Sequence, residues 1–114
     1  ENDEMNFNLI QKLLLSIGIK EFKGFKQGKS LLDFFVHNQD FDMIILDIQM
    51  PEMDGVQCLK EIRKFDKNIP VIALTAYSLK SDREKYLEIG FNEYIAKPII
   101  KTDFLNVLSK YQEG

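Results

Sequence analysis

Three polar residues of this chain each follow a separate apolar segment. Asp47 closes the apolar run 43–46, Thr75 closes the run 71–74, and Lys97 follows a third, shorter segment of the same kind. A carboxylate beside a hydroxyl and an ammonium group suits a metal ion and an anion bound side by side, which indicates phosphate chemistry. In such a site Asp47 could be a nucleophile that forms an aspartyl phosphate, while Lys97 and the metal neutralise charge on the transferred group.

Each of these residues also has a purely structural interpretation. An isolated aspartate at a strand end more often caps the following turn, a lone threonine such as Thr75 suits a turn, and a lone lysine such as Lys97 suits a solvated surface. Their joint placement favours the functional interpretation, because parallel strands bring their carboxyl ends to one edge of a sheet. His37 follows an apolar helix face and is expected to be solvated or partly buried rather than catalytic.

The elements that must position these residues alternate along the chain. Apolar spacing predicts helices over 5–17, 31–36, 56–62, 81–89 and 102–111. Apolar runs and alternation predict strands over 21–26, 43–47, 71–74 and 93–96. Strands that alternate with helices over short connections imply a doubly wound α/β fold with a parallel sheet and helices on both faces.

Length and composition set the remaining limits. The chain has 114 residues, enough for one domain, and a net charge of −3, which gives no reason to expect nucleic-acid binding. The single cysteine, Cys58, cannot form an internal disulfide and is expected to be buried. Lys60, Arg63 and Lys64 are expected to form a solvated helix face. No apolar run is long enough to span a membrane, so a cytoplasmic domain is expected.

Several motifs resemble the receiver domain of two-component response regulators. They are Asp-Ile-Gln-Met-Pro-Glu-Met-Asp-Gly at 47–55, Leu-Thr-Ala at 74–76 and Tyr-Ile-Ala-Lys-Pro at 94–98. With Lys-Ser-Asp-Arg-Glu-Lys at 80–85, the chain looks most like receivers attached to hybrid histidine kinases. The resemblance therefore also allows this domain to be the cytoplasmic part of a membrane sensor kinase. The resemblance implies that residues 1–114 form one receiver domain with a flavodoxin-like sheet of five parallel strands in the order 2-1-3-4-5.

The resemblance also implies a phosphoacceptor and a metal site. Asp47 would take a phosphoryl group from a phosphohistidine, and Mg²⁺ would be held by Glu1, Asn2, Asp47 and the backbone carbonyl of Gln49. Asn2 stands where the family usually has a second acid, and the lost charge is expected to weaken Mg²⁺ binding. Asp3 fills that position if the register slips by one residue.

A switch and an output surface are implied in the same way. Thr75 and Lys97 would hold the phosphoryl oxygens, and Thr75 and Tyr94 would change conformation together. The fourth helix, fifth strand and fifth helix would carry the change, reported by Arg83 among others, and could form a dimer. The implied partners are a histidine kinase or a histidine phosphotransfer domain, without direct nucleic-acid or membrane contact. Self-phosphorylation and autophosphatase activity are the most that this domain would catalyse, and the 97–98 bond is a candidate cis peptide.

The start of the chain departs from the family pattern. No strand pattern precedes the first helix, so the chain is expected to be incomplete at its amino end, without the family's first strand. The competing interpretation is a degenerate receiver that docks proteins without phosphorylation. It is motivated by Asn2 and by the absence of the family's first strand. A metal-dependent phosphatase of similar topology would need an acid two residues after Asp47, where Gln49 stands.

Overall fold

In the structure, which is a computed structural model, the described residues form five helices and three strands, with one helix between successive strands. The structure describes residues 3–19, 28–38, 42–48, 55–75 and 80–111. The helices are α1 (Asp3–Ser16), α2 (Gly28–His37), α3 (Gly55–Phe65), α4 (Lys80–Ile89) and α5 (Lys101–Ser109). The strands are β1 (Ile44–Asp47), β2 (Val71–Thr75) and β3 (Glu93–Ala96). The strand predicted at 21–26 lies outside the described residues, as do Glu1, Asn2 and Gln49.

The strands form one parallel sheet in the order β1-β2-β3. Ile44 of β1 lies opposite Val71 of β2, and Ile72 of β2 lies opposite Glu93 of β3. All five residues of β2 are buried, which explains why this strand is continuously apolar up to its terminal Thr75. The parallel sheet confirms the predicted α/β class.

The two faces of the sheet carry separate apolar cores. Val71 and Ala73 pack with side chains of α2, α3 and α4, whereas Ile72 and Leu74 pack with side chains of α1 and α5. Because successive side chains of a strand point to opposite faces, one strand supplies both cores. Helices therefore cover both faces, as the doubly wound prediction requires.

Two of the helices end at glycines in the left-handed backbone region. Gly18 follows α1 with a φ of 88°, and Gly90 follows α4 with a φ of 132°. Side chains with a Cβ rarely adopt these angles, so glycine allows the chain to leave each helix there. The helices predicted over 5–17 and 81–89 stop directly before these two glycines, in agreement with the structure.

Cys58 is buried completely within α3, as predicted. Its Sγ lies 3.8 Å from the backbone oxygen of Gly28 in α2. Burial, with a smaller contribution from the charge of Glu61, raises the pKa of the Cys58 thiol to about 11. The thiol therefore stays protonated near neutral pH and acts as an apolar packing group.

The prediction that Arg63 belongs to a solvated helix face is wrong, although Lys60 and Lys64 are exposed. Arg63 Nη1 donates to the backbone oxygens of Asp66 and Ile69, at 3.3 and 2.7 Å. Its Nη2 donates to the backbone oxygen of Gly90 at 3.1 Å and to Oδ1 of Asn92 at 2.9 Å. Burial lowers the Arg63 pKa, and the nearby Asp66 partly offsets this. An arginine can join this many acceptors because its guanidinium group offers five N–H donors.

Among the described residues, no helix is both long enough and apolar enough to cross a membrane. His37 is exposed at the end of α2, in agreement with the sequence prediction.

Candidate active site at the carboxyl edge of the sheet

The three residues singled out in the sequence stand at one edge of the sheet. Asp47 is the last residue of β1, Thr75 is the last residue of β2, and Lys97 directly follows β3. Backbone hydrogen bonds continue past the strand ends: Ile48 N–H donates to the oxygen of Leu74 at 2.9 Å, and Lys97 N–H donates to the oxygen of Thr75 at 2.8 Å. The three side chains are thus carried on backbone segments that are fixed to one another.

Lys97 and Asp47 form a direct ion pair. Lys97 Nζ donates to Oδ2 of Asp47 at 2.7 Å, a short distance that fits a charge-assisted hydrogen bond. The exposed fractions of the two side chains are 12% for Lys97 and 21% for Asp47. The carboxylate is therefore reachable from solvent, while most of the pair is shielded from water.

Gly55 lets α3 begin directly against the backbone that carries Asp47. A Cβ at position 55 would lie 2.8 Å from both the backbone oxygen of Asp47 and the Cα of Ile48. The Gly55 N–H also donates to the oxygen of Ile48 at 3.0 Å. Only glycine permits this approach, because a side chain would collide with backbone atoms that cannot move aside independently.

Thr75 is completely buried, and its hydroxyl faces α4. Its Oγ1 lies 3.2 Å from the hydroxyl oxygen of Tyr86, and either group can donate the hydrogen bond. Tyr86 was not singled out in the sequence. The available signal was one aromatic residue in the mostly charged segment 80–88, because a buried tyrosine needs a partner for its hydroxyl.

Tyr94, the second predicted switch residue, lies in β3 opposite Ala73 of β2. Its side chain is partly buried and packs against the core cluster that contains Ala73 and Tyr86. The structure therefore places Tyr94 and Thr75 in neighbouring strands on the α4 side of the sheet.

Glu93 joins α4 to α5 through an ion-pair cluster that the sequence did not reveal. Its carboxylate accepts from Arg83 Nη2 at 2.9 Å and from Lys110 Nζ at 3.2 Å. Burial alone would raise the Glu93 pKa, since only 7% of the side chain is exposed. The hydrogen bonds from Lys110 and Arg83, the charge of Arg83 and the hydrogen bond from the Tyr94 N–H together outweigh burial, so the pKa of Glu93 is lowered below its ordinary value.

The predicted metal site is described only in part. Asp47 supplies a hard oxygen donor of the kind that Mg²⁺ prefers, and it stands at a partly exposed strand end. The other predicted ligands, Glu1, Asn2 and Gln49, lie outside the described residues. Within the described ranges, no three histidine, cysteine or acidic side chains are grouped so that they could hold a metal ion.

The 97–98 peptide bond, which precedes Pro98, is cis, as the resemblance implied.

A parallel sheet covered on both faces, with a carboxylate, a hydroxyl and an ammonium group at its carboxyl edge, defines a doubly wound α/β protein whose site lies where that class binds its ligands. The family model of the response regulator receiver domain matches residues 1–109. This chain therefore belongs to the receiver domains of two-component signalling.

Hybrid histidine kinases are among its relatives. Hybrid signal transduction histidine kinase I of Dictyostelium discoideum is 39% identical over 107 residues, which is 87% of this chain and 6% of the kinase. The chain thus spans only a small fraction of that relative, in agreement with the resemblance to kinase-attached receivers.

Solved receiver structures share the fold. The receiver domain of the sensor histidine kinase PA1611 from Pseudomonas aeruginosa PAO1 is 31% identical, with a TM-score of 0.81, and the match covers 97% of this chain and 91% of that one. A chain of the CheX–CheY–BeF3–Mg complex from Borrelia burgdorferi is 28% identical, with a TM-score of 0.84 and coverage of 96% and 83%. These likenesses confirm the flavodoxin-like fold.

Proposed function

We propose that this chain accepts a phosphoryl group from a phosphohistidine onto Asp47 within a two-component phosphorelay. The observation that carries the proposal is the 2.7 Å contact between Lys97 Nζ and Asp47 Oδ2 at the joined carboxyl ends of the strands. A lysine fixed on this carboxylate reduces the repulsion between Asp47 and an incoming anionic phosphoryl group. The donor would be a histidine kinase or a histidine phosphotransfer domain, which the similarity to a hybrid histidine kinase supports.

The transfer is a displacement at phosphorus. A carboxylate oxygen of Asp47 attacks the phosphorus atom, the new P–O bond forms as the P–N bond to the donor imidazole breaks, and the electron pair of that bond leaves with the imidazole nitrogen. Lys97 then faces the oxygens of the acyl phosphate as a hydrogen-bond donor. Thr75 would supply a second donor from the neighbouring strand once its hydroxyl turns towards the phosphoryl group.

Mg²⁺ is the cofactor that we expect, with Glu1, Asn2, Asp47 and the backbone carbonyl of Gln49 as ligands. Asp47 fits this role by its chemistry and its partial exposure. When bound, the ion supplies positive charge close to the phosphoryl oxygens. The similar receiver domain of PA1611 has a magnesium ion coordinated in its active site cleft.

The output surface that we propose comprises α4, β3 and α5. Thr75 and Tyr94 would begin the change, and the Glu93 cluster supports a response of the surface as a unit. Arg83 of α4 and Lys110, which follows α5, both contact this one carboxylate of β3. A change in the position of α4 would therefore alter the shape and charge that the surface presents to a partner or to a second copy of the chain.

The test uses the natural full-length protein with a small-molecule phosphodonor, acetyl phosphate, and Mg²⁺. We expect an acid-stable, base-labile phosphoryl group on the wild type and its complete loss in Asp47→Asn. Asp42→Asn, a change of the same kind at an exposed position of the same segment, should retain it. Chelation of Mg²⁺ should stop incorporation, although Asn2 predicts a higher Mg²⁺ requirement than a site with two acids.

A folded wild-type protein that takes up no phosphoryl group from acetyl phosphate or from a phosphohistidine donor would contradict the proposal. That result would instead support the docking module that works without phosphorylation. Incorporation that survives in Asp47→Asn would place the acceptor elsewhere.

A further inference from the structure

We propose that Tyr86 is a positioning residue that holds the hydroxyl of Thr75 towards α4 and releases it when a phosphoryl group arrives on Asp47. This inference rests on the proposed function. It starts from the two hydroxyl oxygens of Thr75 and Tyr86, which lie 3.2 Å apart in the interior of the protein. Tyr86 is 6% exposed and Thr75 is not exposed at all, so water is not an easy substitute for either partner.

The pleat of the strands explains why Thr75 faces Tyr86. In β2, Thr75 alternates with Val71 and Ala73 on the same face of the sheet. Those two residues belong to the core cluster that also contains Tyr86. Asp47 has the parity of Ile45 in β1, whose side chain packs against the core cluster on the opposite face. Alternate residues of a strand point to opposite faces, so the Thr75 hydroxyl is directed to the α4 side and must reorient to hold a group on Asp47.

Thr75 is the partner that can move. Rotation about a single bond between staggered positions redirects a threonine hydroxyl. The Tyr86 hydroxyl, in contrast, is fixed to a rigid ring that packs edge to face against Phe91, with ring centres 6.1 Å apart and an interplanar angle of 86°. Tyr86 therefore stays in the core while Thr75 turns away.

The consequence is competition between α4 and the phosphoryl group for one hydroxyl. Contact between Thr75 and the phosphoryl group requires loss of the contact with Tyr86, which leaves a buried phenol on α4 without that partner. The loss of one buried hydrogen bond changes an equilibrium about five-fold. The hydrogen bond with Tyr86 thus lowers the equilibrium constant for contact between Thr75 and the phosphoryl group by about this factor. Because Tyr86 belongs to α4, the loss of this hydrogen bond also changes the contacts of α4.

The test removes only the hydroxyl, by Tyr86→Phe in the natural full-length protein, and keeps the ring that packs against Phe91. Binding of beryllofluoride with Mg²⁺, a phosphoryl mimic, is followed by fluorine NMR. We expect the apparent dissociation constant to fall about five-fold, because Thr75 then has one hydrogen bond fewer to give up. The matched control is Tyr111→Phe, which also removes a hydroxyl in a hydrogen bond, here 3.2 Å from the backbone oxygen of Asn92. It should change the constant less than two-fold.

A second measurement uses the wild type and so does not depend on how the variant folds. The side-chain rotamer of Thr75, obtained from NMR coupling constants, should change when beryllofluoride binds and should be less strictly defined in unliganded Tyr86→Phe. Unchanged or weaker binding by Tyr86→Phe, or a Thr75 rotamer that beryllofluoride leaves unaltered, would overturn the role of Tyr86 while leaving the proposed function intact. A wild type that binds no beryllofluoride would overturn the proposed function itself and this inference with it.

Discussion

The two edges of the sheet each hold a cation that joins separate parts of the chain, and the two cations are bound in different ways. At the amino edge, Arg63 donates to three backbone oxygens and to the amide oxygen of Asn92. The same Asn92 oxygen accepts from the N–H of Val71 at 2.8 Å, which ties the cluster to β2. At the carboxyl edge, Lys97 pairs with the carboxylate of Asp47.

This difference assigns different roles to the two edges: the amino edge contributes to stability, and the carboxyl edge suits the proposed chemistry. The acceptors of Arg63 are neutral groups fixed by the backbone, and a planar guanidinium group holds them in a defined geometry. Asp47 is a charged and partly exposed acceptor that would gain a covalent group in the proposed transfer, and the flexible stem of lysine would let Lys97 follow it. The amino edge therefore keeps a fixed geometry. At the carboxyl edge, the contacts of Asp47 can change while the strands stay in place.

The largest effect on stability is expected at the amino edge. Arg63→Met removes hydrogen bonds to four oxygens while it keeps much of the apolar stem. We expect a loss of about 3 kcal/mol in the free energy of unfolding, measured by urea denaturation. Lys64→Met is the control on the same helix, because this side chain is 67% exposed and pairs only with Glu61 among the residues described. It should cost less than about 0.5 kcal/mol, and equal costs for the two variants would break the comparison.

Gly55→Ala tests whether the junction between the start of α3 and the end of β1 is rigid. Its Cβ would collide with the backbone of Asp47 and Ile48, so either α3 or the end of β1 must shift. We expect a loss of about 2 kcal/mol in the free energy of unfolding and slower phosphorylation from acetyl phosphate, because Asp47 is displaced. Lys60→Ala, at an exposed position of the same helix, should change neither quantity appreciably. A fully active and fully stable Gly55→Ala variant would show that α3 and the end of β1 can shift apart without a loss of stability, which would contradict a rigid junction.

Lys97→Met tests the same comparison from the opposite edge, because it also replaces a cationic side chain by methionine, as Arg63→Met does. We expect only about 1 kcal/mol of lost stability, because Asp47 can still contact water once the ammonium group of Lys97 is removed. Phosphoryl transfer, in contrast, should fall at least about a hundredfold, whereas Arg63→Met should retain transfer at temperatures where it is folded. Similar losses of transfer in the two variants would contradict the division between the edges.

The smallest effect is expected at the Glu93 cluster, and it should depend on pH. The pKa of Glu93 is lowered in the folded protein, so its ionised form stabilises the fold above the ordinary glutamate pKa of about 4.3. This contribution is lost as the pH falls through the folded-state pKa. Arg83 and Lys110 are 43% and 58% exposed, which screens the interaction. Glu93→Gln should therefore cost about 0.5 kcal/mol near neutral pH.

The difference from the wild type should shrink as the pH falls below the ordinary glutamate pKa and through the lowered folded-state pKa of Glu93. Urea denaturation of both proteins at neutral and acidic pH measures it. A difference that stays constant with pH would show that the charge of Glu93 is not what stabilises the cluster.

The sequence was sufficient for the fold and for the three strand-end residues, because both depend on local periodicity. Apolar runs locate β1, β2 and β3, and the rule for parallel strands then places Asp47, Thr75 and Lys97 at one edge. The start of α5 was predicted to within one residue, since the helix begins at Lys101 and a start near Thr102 was expected.

What the sequence could not show were contacts between distant residues. Helical spacing put Arg63 on the outer face of α3, but its acceptors include Gly90 and Asn92, more than 25 residues away. Glu93 and Tyr86 were missed for the same reason, since each finds its partner on another element. Tertiary contacts of this kind override the simple expectation that a charged residue on a helix is solvated.

The burial of Cys58 has a practical consequence for all of these measurements. Its pKa of about 11 leaves roughly one thiol in ten thousand ionised at neutral pH, and its side chain is inaccessible. A cysteine introduced at an exposed position such as Glu84 of α4 would therefore react with a fluorescent or spin-label reagent far faster than the native thiol. Movements of α4 can then be followed without removing the natural cysteine from the core of this chain.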